Sequence, residues 1–109
     1  MNRELVLINE NIESSQHVHL YFDNEVGFYV AYGMSAYLIC RVVDPVCSYS
    51  TALQMPVALL NRAQINTCRR SLVKLEHTEH VYYKFQMNFS MPKDKNYENW
   101  VEKLKKSWL

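Results

Sequence analysis

His17 and His19 stand two residues apart, which puts both imidazoles on one face of a strand, and His77 and His80 flank a predicted turn. Were the two segments neighbours, four imidazoles would lie near one another, a set able to ligate zinc or to move protons near neutral pH. No HExxH or comparable spacing accompanies them, so no metal is expected and the histidines read as solvated residues on a polar sheet face. Asp23, Glu25 and Glu76 are the carboxylates that would complete an acid–base pair, but the sequence sets none of them beside a histidine in a cleft. Cys40, Cys47 and Cys68 are odd in number and lack a CxxC spacing. That argues against a disulfide framework and a structural zinc site, and it favours a reducing, cytoplasmic setting. All three read as small buried apolar side chains rather than nucleophiles.

Neither GxxxxGKS/T nor GxGxxG is present, so nucleotide use is not indicated and no cofactor is expected. Arg69 and Arg70, with Lys103, Lys105 and Lys106, could contact phosphates, and Trp100 or Trp108 could stack bases as single-strand binders do. Against this, 12 basic and 11 acidic residues leave a formal charge of +1, which supplies no long-range field towards a polyanion. The tryptophans also fall on an apolar helical stripe, where they serve as core. Nucleic acid is therefore not an expected partner.

The elements that must position these side chains begin with a hairpin. Val18, Leu20 and Phe22 alternate with His17, His19 and Tyr21, and Phe28, Val30 and Tyr32 alternate with Tyr29 and Ala31. Placing both apolar sets on one face pairs Phe22 with Phe28, Leu20 with Val30 and Val18 with Tyr32. Asp23 to Gly27 then form the turn, Gly27 supplies a positive φ, and Tyr21 meets Tyr29 on the opposite face. A second alternation, Val81, Tyr83, Phe85, Met87 and Phe89, predicts a strand paired with Ser71 to Glu76. Val73 and Leu75 would face the core, and His77-Thr78-Glu79 would turn. Leu5 to Ile8 suit a further strand.

Tyr97, Trp100, Val101, Leu104 and Trp108 recur at helical spacing and predict a C-terminal amphipathic helix, capped by Asp94 or Asn96 and supported by an ion pair from Glu102 to Lys106. The middle of the chain is ambiguous. Ala36 to Val43 fits a buried helix begun by Ser35, the reading preferred here, or a strand. Pro56 to Ile65 fits a short helix, while Val57 to Leu60 would also serve as a buried strand.

These elements predict one α+β domain over residues 1–109, a mainly antiparallel sheet built from hairpins and packed against the C-terminal helix and one or two short helices. Leu5 to Ile8 is too short for the apolar region of a signal peptide. The uncharged stretch Val26 to Cys40, with its glycines and tyrosines, falls short of the ~20 apolar residues of a membrane span. No membrane is expected.

Eight tyrosines, each with an apolar ring and a polar tip, favour half-buried positions and interfaces. His17, His19, Tyr21, Tyr29 and Tyr82 fall together on the predicted outer sheet face and form the candidate interaction face. The expected function is a non-enzymatic interaction or regulatory module that binds a protein partner or itself as a homo-oligomer. The alternative is a small-molecule binder or small enzyme with a pocket between sheet and helix, using His17, His19 and a tyrosine hydroxyl.

Overall fold

A computed structural model describes residues 17–25, 27–78, 81–87 and 95–108. Its elements are β1 (His17–Asp23), β2 (Phe28–Tyr32), α1 (Gly33–Ile39), β3 (Val46–Ser50), β4 (Met55–Leu60), α2 (Arg62–Ser71), β5 (Val73–Thr78), β6 (Tyr82–Gln86) and α3 (Lys95–Trp108). All six strands join one antiparallel sheet in the order β3-β4-β2-β1-β6-β5, so the fold is the predicted α+β. The stretch Leu5 to Ile8, the cap residue Asp94 and the end of the β6 alternation at Phe89 lie outside the described residues. Among the described residues no helix is long and apolar enough to cross a membrane.

One sheet face carries Val18, Leu20, Ala31, Ala58, Leu60 and Phe85 into the main core, where side chains of all three helices meet them. The other face holds a second apolar cluster of Tyr21, Val30 and Tyr32, flanked by half-buried Leu53, Met55, Val57, Leu59 and Tyr82. Burial pushes the Tyr32 hydroxyl up to about 12, with the negative charge of Asp23 adding to the effect.

This two-sided burial changes the register of the first hairpin. Asp23 pairs with Phe28, Phe22 with Tyr29 and Tyr21 with Val30, one residue away from the expected pairing. The Asp23 carbonyl accepts from the Gly27 amide at 2.9 Å and its carboxylate accepts from the Glu25 amide at 2.9 Å, which closes a tighter loop. Gly27, at φ +73, takes the left-handed conformation expected of it. Tyr29 therefore points to the main core with Phe22, and Phe28 is left 39% exposed.

Gly33, at φ +58, turns β2 directly into α1, so the helix starts two residues before Ser35 and ends at Ile39 rather than reaching Val43. Every residue of α1 is buried, as its all-round apolar sequence requires. Ser35 does not cap it; its hydroxyl accepts from the His19 amide at 2.9 Å. The ambiguous stretch from Pro56 to Ile65 contains both alternatives in turn, β4 and then the start of α2. The change occurs at Asn61, whose side chain accepts from the Gln64 amide while Gln64 accepts from the Asn61 amide, each at 2.9 Å, a complete capping box.

The second hairpin forms with β5 displaced two residues along the chain, Val73–Thr78 instead of Ser71 to Glu76, so that His77 and Thr78 pair with Tyr83 and Tyr82 rather than forming the turn. A register shift between Lys74 and Glu76 interrupts it, and every residue of β5 is exposed, so Val73 and Leu75 do not face the core. In α3, Asn96 lies inside the first turn rather than at the cap. Glu102 pairs with Lys105 at 3.4 Å instead of with Lys106.

Candidate functional site

His17, His19, Tyr21 and Tyr82 do share one sheet face, because β1 pairs with β6 and sets Tyr21 opposite Tyr82. The His19 ring Nδ1 and the Tyr82 hydroxyl are hydrogen-bonded, and the Tyr82 ring lies 5.4 Å from that of Tyr21. His19 and Tyr21, however, are buried within the chain, at 1% and 5% exposure. Tyr29 is on the opposite face. His77 also separates from His17 and His19: the hairpins are neighbours, but His77 is stacked on Tyr83, on the face away from them, with ring centroids 4.2 Å apart and planes at 10°, and His80 lies outside the described residues. Among the described residues no group of three or more His, Cys, Asp or Glu side chains is placed to hold a metal ion.

A concave feature lies elsewhere, between the first hairpin, β6 and α2. A groove of about 350 Å³ is lined by Phe22, Gly27, Tyr29, Leu60, Arg62, Ile65, Asn66, Arg69 and Tyr83. Its size is at the lower end of small-molecule sites. Three aromatic rings form one side: Tyr29 sits 5.1 Å from Phe22 and 5.2 Å from Tyr83, the latter edge to face at 65°. These contacts follow from the hairpin register, since a pairing one residue away would turn Tyr29 to the other face.

The opposite side is α2. Arg62, Asn66 and Arg69 stand at helical positions i, i+4 and i+7, one above the other along the groove, while Ile65 and Cys68 anchor the helix in the core. Arg69 is in the last turn, where the helix dipole favours a cation. Arg62 is the first helical residue, where that dipole disfavours one, and the first turn holds no acid to compensate. Helix stability thus does not account for Arg62. No carboxylate among the described residues pairs with either Arg62 or Arg69, in contrast to the Glu102–Lys105 pair on α3.

Chemically, two guanidiniums with planar donor forks face an apolar, aromatic wall. The groove lining contains amide, guanidinium and phenol groups but no carboxylate, imidazole or thiol, so it offers anion recognition and stacking rather than acid–base or nucleophilic chemistry. Sequence reasoning singled out Arg69 as a phosphate contact but passed over Arg62 and Asn66. The i, i+4, i+7 spacing was the available signal, and it has meaning only once α2 is known to be a helix. Compared with protein-family models, curated proteins and solved structures, the chain has no significant match, so the reading of this groove rests on its own geometry.

Proposed function

We propose that the protein is a non-enzymatic binding module whose groove between the first hairpin and α2 receives a small planar anion, an aryl phosphate or aryl carboxylate. The observation that carries this reading is the pair Arg62 and Arg69, held without a carboxylate partner among the described residues beside the rings of Phe22, Tyr29 and Tyr83. Guanidinium forks bind such anionic groups through charge-assisted hydrogen bonds, and an aromatic ring on the same ligand stacks on the wall. Calorimetric titration with phenyl phosphate tests it. Arg69→Glu should weaken binding at least about tenfold, equivalent to about 1.4 kcal/mol. Arg70→Glu makes the same charge change one residue away on a side chain that bonds Thr67 and does not line the groove, and should leave affinity nearly unchanged. Equal losses in both variants, or no binding of aryl anions by the wild-type protein, would overturn the assignment.

A second reading, self-association, is favoured by the outer hairpin, where Val73, Leu75 and Val81 are 57%, 42% and 56% exposed. The register shift at Lys74 to Glu76 and the charges there disfavour simple extension of the sheet past β5, so association would use these exposed apolar side chains. Sedimentation velocity should then show a dimer that Leu75→Lys dissociates. A monomer at all concentrations would remove this reading and leave the groove untouched.

A further inference from the structure

We propose that Cys40 and Cys47 form a dithiol site that a hydroperoxide converts to an intramolecular disulfide, tying the end of α1 to β3. The sulfur atoms lie 3.5 Å apart in hydrogen-bonding contact. Cys40 is the C-cap of α1 and Cys47 is the second residue of β3, paired with Ala58. Closing the gap to the about 2.05 Å of a disulfide requires roughly 1.5 Å of sulfur movement, which small rotations of two side chains can share. Both thiols are only partly buried, whereas Cys68 is fully buried in the core. An oxidant therefore has access to the pair and not to the third cysteine.

The two thiols are not equivalent. The Cys47 sulfur also lies 3.7 Å from the Pro45 carbonyl, to which its S–H donates, leaving its lone pairs to accept from Cys40. That hydrogen bond lowers the Cys47 thiol below its ordinary value, with burial and Asp44 opposing it. It raises Cys40, and burial adds to the rise. With the Cys40 S–H directed at the Cys47 sulfur, Cys47 is assigned as the attacking thiolate and Cys40 as the resolving thiol.

The thiolate of Cys47 attacks one peroxide oxygen; an S–O bond forms as the O–O bond breaks, and the departing hydroxide takes a proton to become water. Cys40, losing its proton, then attacks the Cys47 sulfenic sulfur; the S–S bond forms as the S–O bond breaks, and a second hydroxide leaves as water. Two thiols lose two electrons and one hydrogen peroxide becomes two waters. Joining the residues fixes the loop between α1 and β3, the strand against which α3 rests.

The test is to expose the reduced full chain to hydrogen peroxide, alkylate the remaining thiols and map the peptides by mass. The expected product links the Cys40 and Cys47 peptides within one chain, leaves Cys68 alkylated, and returns to three free thiols on reduction. In Cys40→Ser, dimedone should trap a sulfenic acid on Cys47; in Cys47→Ser, oxidation of Cys40 should slow at least about tenfold. Three free thiols after treatment, a bridge to Cys68 or between chains, or oxidation of the wild type that stops at a sulfinic acid would overturn the proposal. So would undiminished oxidation of Cys40 in Cys47→Ser. The wild-type map stands independently of how well either variant folds.

Discussion

Phe85→Ala should cost about 3–5 kcal/mol of folding free energy, the usual loss on deleting a buried phenylalanine. Phe85 is 0% exposed, lies opposite Val18 across the β1–β6 ladder, and stacks on Tyr83 with centroids 5.5 Å apart and planes at 7°. Both sheet neighbours of β6 meet there, because Lys74 of β5 is on its other side. Removing the ring takes contacts from the main core at a point where rigid strands limit collapse, so a cavity term adds to the lost transfer free energy. Urea unfolding checks it: the midpoint should fall with an unchanged slope. A loss below about 1 kcal/mol would mean that the β6 face is assigned wrongly.

The alternation that identifies Phe85 was legible because alternate side chains along β6 and just past it are deeply buried: Tyr83, Phe85 and Met87 are buried and Tyr82, Lys84 and Gln86 half-buried, while Val81, which opens the pattern, precedes the strand and is exposed. The same logic failed for the register of the first hairpin. In β2, Val30 and Tyr32 serve the second apolar cluster while Ala31 and Tyr29 serve the main core, so an apolar residue at one position no longer identifies the face. The local hydrogen bonds of Asp23 decide instead, and they depend on loop geometry that composition does not fix.

β3 went unread for a related reason. Val46-Cys47-Ser48-Tyr49-Ser50 has no clean alternation, and what holds it is β4, joined to it through the turn 51–54, on one side of its ladder and α3 across its face. The candidate groove inherits both difficulties. Arg62, Asn66 and Arg69 are spaced for one helix face, but the rings opposite them come from three strands and depend on the hairpin register. A short helix in this region was foreseen as far as Ile65, which ends before the stripe is visible.

Truncation before Tyr97 should unfold or aggregate the protein, because α3 completes the main core. Tyr97 meets the Tyr37 ring edge to face at 5.3 Å and 78°, and Trp100 meets the same ring at 5.2 Å. Tyr37 belongs to α1, the helix with every residue buried, so uncovering it exposes the centre of the helical layer. Further along, the Lys105 ammonium sits 5.3 Å from the centre of the Tyr49 ring, holding α3 over β3. Val101 and Leu104 are half-buried with Tyr97 and Trp100. Full burial of one such side chain contributes roughly 1.5–3 kcal/mol, and half burial about half of that, so the four together supply roughly 3–6 kcal/mol. The surface they cover on α1 and β3 adds to the loss, which thereby reaches a large part of the ~5–15 kcal/mol that holds a typical domain folded. Trp100→Ala, removing one half-buried ring, should cost about 1–3 kcal/mol and leave a cooperative transition. Circular dichroism melts with light scattering separate the outcomes. If the truncated chain melts cooperatively at an unchanged temperature, α3 is a detachable arm, and the face it leaves on Tyr37 and Tyr49 becomes a surface for an exchangeable helix.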